Sequence, residues 1–289
     1  MARRYPATGL YASLRWEDSG EPTNVLVDSE EFRHPRRRII LLLHGYNVSC
    51  KAGHKALKGF ESQLRKHSAS LAGDVAWLMW PGDWRIPLVS AASYPFMVTA
   101  TARLGEKIAR FMRTLRHPEG GQPEIVVVAH SLGCRVMLEA LHELVGKPGL
   151  KHVSVLLMAA AVPVDEVEPG GRLRDAALWA ARRAVLHSTS DWVLQVAFRL
   201  GQRVTPGESG LTEAVGTAGR PPRGLWHEST EMSGFGHSSY WKEHKTAAWF
   251  VSWMGRAAPR IPPRRRIQRR ITPIRRLRAA RELPVREVF

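Results

Sequence analysis

"VVVAHSLGCRV" (126–136) passes from apolar and small residues into His-Ser-Leu-Gly and then into a stretch with helical spacing. A buried strand ends in a turn chosen for its geometry, and such a turn has no need of a hydroxyl. Ser131 is therefore either a nucleophile or a small polar residue that closes a strand. The pattern Ala129-His130-Ser131-Leu132-Gly133 is small-x-Ser-x-Gly, which is what a nucleophile elbow requires. Small neighbours let a strained turn pass close to adjoining backbone and leave the serine hydroxyl exposed. The helix behind the serine offers unpaired N–H groups to a developing oxyanion. Taken alone, the motif leaves both readings open, because short motifs recur by chance.

Working outward, "RIILLLHG" (38–45) is a continuous apolar run closed by glycine, as expected of a strand buried on both faces. "KAGHKALKGFESQLRKHS" (51–68) has helical spacing at Ala56, Leu57, Phe60 and Leu64. "DVAWLMWPGDW" (74–84) reads as a strand closed by Pro-Gly, and a helix is expected over about 98–116. The elbow strand "EIVVVAH" and its helix, ended by Gly146, come next. "HVSVLLMAAAVP" (152–163) is a third buried run, "GRLRDAALWAARR" is helical, and "AVLHSTSD" (184–191) is a shorter strand. "DWVLQVAFRLG" reads as a helix, and residues 201–224 read as a Gly/Pro-rich loop. "LWHESTEMSGFGHSSYW" can hold a last short strand, and "YWKEHKTAAWFVSWMG" a final helix. Strands alternating with helices imply an α/β fold, a mostly parallel sheet covered by helices on both faces.

The chain has 289 residues, 44% of them hydrophobic, enough for a sizeable core in one large domain. Its domain is placed at 36–255, after an N-terminal segment 1–35 and before a tail 256–289. The net charge is +17, of which the tail carries +10 through twelve Arg and two Glu, leaving +7 for the rest. Such a tail is expected to be peripheral. It either stays solvated or attracts an anionic partner, nucleic acid or a membrane surface, without sequence specificity. The two cysteines, Cys50 and Cys134, match no zinc or redox spacing and fit a reducing compartment. No secretory signal is read in the first twenty residues, and the run 86–102 is too short and too rich in Ser, Thr and Pro to span a bilayer. A soluble cytoplasmic protein is expected, with no metal or organic cofactor.

Three further features bear on Ser131. In "LLLHGYN" (41–47) a buried strand ends in His-Gly, where the following loop can supply a second oxyanion N–H. By position it is that of Tyr46, paired with the N–H of Leu132. Asp191 follows the strand "AVLHSTS", where a carboxylate can orient an imidazole. His237 lies in "SGFGHSSYW", a glycine-flanked loop between the last strand and the last helix. The chain order Ser131, Asp191, His237 is that of a serine, acid and histidine triad on a parallel sheet. Asp165, in the acidic stretch "VDEVE" after the third buried run, is the competing carboxylate. It sits in what reads as a solvated loop, so Asp191 is preferred.

His130 and His44 are read as packing or polar support, and Cys134 as core. Trp80, Trp84, Trp192, Trp226 and Trp241 fall near strand ends around the mouth, and most tryptophans are structural. The stretch 85–102 reads equally as an acyl-binding wall, a small cap or an ordinary core helix. Together with loop 201–224 it would shape the pocket.

The arrangement resembles the α/β-hydrolases, and within them a bacterial group of uncharacterised hydrolases. Members carry a His-Gly-Tyr-Asn segment, as at 44–47, a Trp-Pro strand end, as at Trp80-Pro81, and an Ala-His-Ser elbow. They also carry an acid segment like "HSTSDWVLQVA" and a histidine loop like "GHSSYW". The resemblance covers about 36–255; where members tend to have Ser after Trp-Pro, this chain has Gly82. It implies acyl transfer through a covalent intermediate on Ser131, with His237 as general base and Asp191 fixing its tautomer. The expected activity is that of a serine hydrolase on a carboxylic ester, thioester or amide with a small or lipid-like acyl substrate. The alternatives are an acyltransferase using the same three residues, or a hydrolase-like binding module drawn to an anionic partner by its tail.

Overall fold

Ile39–Leu43, Val75–Met79 and Ile125–Ala129 are apolar at every position, so a backbone that extends them must cover both of their faces. The computed structural model describes residues 10–13, 26–27, 36–82, 94–150, 152–208, 212–217 and 224–257, and in them these segments form the middle of one sheet. Its strands are β1 (Leu10–Ser13), β2 (Leu26–Val27), β3 (Arg38–Leu43), β4 (Val75–Met79), β5 (Glu124–His130), β6 (Val153–Met158), β7 (Arg182–His187) and β8 (Glu228–Glu231). The order is β2-β1-β4-β3-β5-β6-β7-β8. Every pairing is parallel except that of β1 with β2.

From β3 the chain steps to β4 on one side, then returns past β3 to β5 and continues through β6 and β7 to β8. Right-handed crossovers running in opposite directions put their helices on opposite faces. Helix Cys50–His67, between β3 and β4, therefore covers one face, where it meets the last helix, His244–Gly255. Phe60 packs edge-on against Phe250 and Trp241 there, at centroid distances of 6.0 and 5.4 Å. Helices Tyr94–Thr114, Leu132–Leu144 and Arg174–Trp179 pack together on the other face. The reversal lies between β3 and β5, so the crevice at their carboxyl ends is where the fold leaves room for a ligand.

Several boundaries differ from the sequence reading, each for a local reason. β4 stops at Met79, because the Trp80 backbone N–H turns to the His44 imidazole, 3.4 Å away. β6 stops at Met158, where Ala159 adopts a φ of 44°. β7 starts at Arg182 despite its charge, since that guanidinium donates to the Trp253 carbonyl at 2.5 Å and lies 4.5 Å over the Trp253 ring. The helix expected over 98–116 runs Tyr94–Thr114, and the last helix starts at His244 rather than Tyr240. The segment after Asp191 begins as a π-helix, Val193–Phe198, before the α-helix Arg199–Arg203. β1 and β2 precede position 36 yet extend the sheet beyond β4. Most of the N-terminal segment, Trp84, positions 85–93 of the stretch read as an acyl wall or cap, and the tail from 258 lie outside the described residues.

Candidate active site

β5 delivers Ser131 to the crevice, and the backbone there is strained. Ser131 has φ 55° and ψ −129°, a region that residues with a Cβ rarely enter. Three backbone hydrogen bonds hold it. Its N–H donates to Met158 O at 3.0 Å, and its carbonyl accepts from Ala161 at 3.1 Å and Cys134 at 3.0 Å. The small residues around the turn are required by space. A Cβ on Gly133 would lie 2.4 Å from His44 O, and one on Gly45 would lie 2.8 Å from Ser131 Cβ. Leu132 opens the helix Leu132–Leu144, so its N–H has no acceptor one turn back and stands at the positive end of the helix dipole.

The loop after β3 runs directly against this turn. Tyr46 follows Gly45, and Asn47, at φ 55°, donates its N–H to Gly82 O at 2.5 Å. Gly82 has little room: a Cβ there would meet Gly45 O at 2.8 Å, so the serine common at this position in the resembling group would require the loop to shift. His44 is wholly buried and stacks on Trp80 at 5.7 Å. Its Nε2 accepts from the Trp80 N–H, which leaves Nδ1–H to donate to the Gly45 carbonyl at 2.9 Å. His44 thereby pins the loop, as its place at a strand end led one to expect.

Asp191 and His237 arrive from the ends of β7 and β8. The Asp191 side chain is fully buried; its Oδ1 accepts from the Leu194 N–H at 3.1 Å and its Oδ2 faces His237 Nδ1 at 2.8 Å. A carboxylate can only accept here, so Nδ1 carries the proton and Nε2 is left to accept from the Ser131 hydroxyl, 2.9 Å away. Ser188 ties the two loops together, its hydroxyl donating to Phe235 O at 2.8 Å and accepting from the Ser190 N–H at 3.1 Å. Asp165 is exposed on the short helix Val164–Val167, and it is Asp191 that faces His237.

His130, read from the sequence as packing or polar support, supports the site: its Nε2–H donates to the His237 carbonyl at 2.7 Å while its ring lies 4.8 Å from the His237 ring. Burial, with His237 beside it, pulls its imidazole down to about 3, so it stays neutral and serves as a fixed donor. The support that sequence reasoning missed is the stretch 212–217, inside the segment read as a Gly/Pro-rich loop. Gly216 donates to Ala160 O at 3.0 Å and accepts from Ser188 at 3.2 Å, joining the end of β6 to the loop that holds Asp191. A Cβ on Gly216 would lie 2.2 Å from Ala160 N, which is the signal its glycine carried.

An ion cluster is built on the elbow helix, with the Arg135, Glu139 and Glu208 side chains buried and that of Arg172 exposed. Arg135 donates to both carboxylate oxygens of Glu208, at 3.0 and 2.6 Å, and Arg172 to both of Glu139, at 2.7 and 2.5 Å. Glu166 lies 3.5 Å from each guanidinium, so this part of the acidic stretch is paired rather than solvated. Cys134 is buried with its thiol pushed up by that burial, and Trp80, Trp226 and Trp241 belong to the core. Trp192, in contrast, is 64% exposed. Among the described residues no group of three or more His, Cys, Asp or Glu is placed to hold a metal ion, and no helix is long and apolar enough to cross a membrane.

Residues 24–211 match the family described as alpha/beta hydrolase of unknown function (DUF900). Among solved structures, the chain is similar to the ydeN gene product of B. subtilis at 16% identity, over 75% of this chain and 97% of that one, with a TM-score of 0.39. It is similar to Est2, a thermophilic esterase of the planctomycete Thermogutta terrifontis, at 15% identity over 79% and 85% of the two chains, with a TM-score of 0.34. A third likeness is to one structure described with LipS and LipT, two metagenome-derived lipolytic enzymes, at 13% identity over 76% and 93% of the two chains, with a TM-score of 0.42. No curated protein matches the chain.

Proposed function

The chain belongs to the alpha/beta hydrolases of unknown function, and from that premise we propose that it is a serine hydrolase cleaving carboxylic esters through an acyl-enzyme. The observation that carries this reading is the unbroken relay from the Asp191 carboxylate to His237 at 2.8 Å and from His237 to the Ser131 hydroxyl at 2.9 Å.

Ser131 Oγ attacks the ester carbonyl as its proton passes to His237 Nε2. The imidazolium that forms is stabilised by the buried carboxylate, which keeps the ring in the tautomer that accepts from serine. The carbonyl oxygen, now an oxyanion, is received by the backbone N–H groups of Leu132 and Tyr46. Each such donor contributes about 2.7–4 kcal/mol in well-studied hydrolases. Collapse expels the alcohol, which takes the proton from His237. Water, deprotonated by the same imidazole, then releases the acid and restores the serine. The free thiols Cys50 and Cys134 are in keeping with work in the reducing cytoplasm.

A fluorophosphonate probe tests the proposal, since it reacts only with an activated serine. The folded chain should label, and Ser131→Ala should abolish labelling while leaving thermal unfolding unchanged. Absence of labelling in the folded wild-type chain would favour a binding module instead. A panel of esters of increasing acyl length, run with and without an alcohol acceptor, then separates hydrolysis from acyl transfer.

A further inference from the structure

The helical segment that follows Asp191 turns an apolar face to solvent. Leu194, Phe198 and Gln202 anchor it, with Gln202 Nε2–H donating to the Tyr94 hydroxyl at 3.0 Å. Its outward side carries Trp192 at 64% exposure, Val193 at 38%, Val196 at 37%, Leu200 at 55% and, at its end, Val204 at 67%. These are five of the seven large apolar side chains that the described residues leave exposed. The same outward side carries Arg199 and Arg203, both exposed, and no acidic residue occurs from Trp192 to Gly207. A solvated helix would carry charge where this one carries Trp, Val and Leu.

An apolar ridge with an exposed tryptophan, flanked by arginines and held to a rigid body by its other side, has the chemistry of an interfacial helix. We propose that this face docks on an anionic lipid bilayer. Trp192, Val196 and Leu200 enter the headgroup region, and Arg199 and Arg203 pair with lipid phosphates. Charge selects this occupant over a second copy of the chain. Two copies meeting through this face would set Arg199 and Arg203 against their own counterparts with no acid on the helix to offset them. The overall charge of +17 favours the same anionic surface. This docking goes beyond the catalytic reading and stands or falls independently of it.

The test uses the full chain with vesicles of phosphatidylcholine alone or mixed with phosphatidylglycerol. The chain should co-sediment with the mixed vesicles, and Leu200→Glu should bind them at least about tenfold more weakly. Brominated acyl chains should quench tryptophan emission in the wild-type chain, and Trp192→Phe should keep binding but lose most of that quenching. Near-UV circular dichroism and thermal unfolding check the fold of each variant; if Leu200→Glu unfolds, the quenching comparison decides alone. The proposal is overturned if wild-type chain ignores anionic vesicles, or if Leu200→Glu binds as wild type and salt releases both equally, as the Arg-rich tail alone would produce. It is overturned equally if Trp192→Phe quenches like wild type, or if Leu200→Glu only converts a dimer to a monomer.

Discussion

Asp191 illustrates how much a single residue owes to its surroundings: one oxygen caps the helix it begins and the other faces His237. Replacing it by Asn keeps the cap but offers Nδ1 a donor as readily as an acceptor, so the imidazole loses its tautomer. By analogy with serine proteases, turnover of an ester substrate should fall by up to about 10⁴. Asp165→Asn, on an exposed position, should leave turnover near wild type, and the reverse ranking would reassign the acid. His130 sets a pH dependence of stability. Its imidazole takes a proton only at about 3 in the folded chain, against 6.5 ordinarily. Between those values the unfolded chain binds more protons, so this residue's contribution is present above about pH 6.5 and is lost as pH falls towards 3, by up to about 1.4 kcal/mol per pH unit. His130→Gln can still donate to the His237 carbonyl but cannot titrate. The gap in Tm between wild type and this variant should therefore shift steadily against wild type from pH 7 to pH 4.5. A constant gap would mean that His130 is already protonated or never desolvated.

Between elements, one glycine governs how closely the two helices behind the elbow approach. Gly105, in Tyr94–Thr114, lies where a Cβ would be 2.5 Å from Glu139 Cβ and 2.7 Å from Ala140 N. Within a helix, Gly→Ala is ordinarily stabilising by about 0.5–1 kcal/mol. Here the added methyl meets backbone, which cannot rotate away, and overpacking of this kind costs about 1–3 kcal/mol. Gly105→Ala should therefore lower the urea midpoint rather than raise it. Because Leu132–Leu144 carries Ser131 at its start, probe labelling should slow as well. A more stable Gly105→Ala protein would show that the two helices can part at little cost.

At the scale of the whole molecule, the sheet, its covering helices and the three site side chains all lie within residues 10–257. A chain ended after residue 257 should thus keep its thermal unfolding and its probe labelling, while any binding of polyanions by the tail should disappear with the eleven arginines removed. Loss of folding would make the tail part of the body. The parallel sheet was legible because β3, β4 and β5 are apolar without alternation, a pattern that only two-sided burial explains. The positions of Ser131, Asp191 and His237 were legible because strand ends, small residues and chain order are local properties. The edge strands β1 and β2 were not, since their short stretches pair only because β4 is there to receive them. Nor was the ion cluster of Arg135, Arg172, Glu139, Glu166 and Glu208. Its partners lie up to 73 positions apart, and an isolated charge in sequence looks like a solvated one. For His130 the supporting role was legible but the partner was not: the fold brings the carbonyl of His237, 107 positions away, within 2.7 Å of its ring nitrogen. Residue type and local spacing follow from the sequence directly; which distant groups satisfy a buried hydrogen bond or charge is decided only when the chain closes on itself.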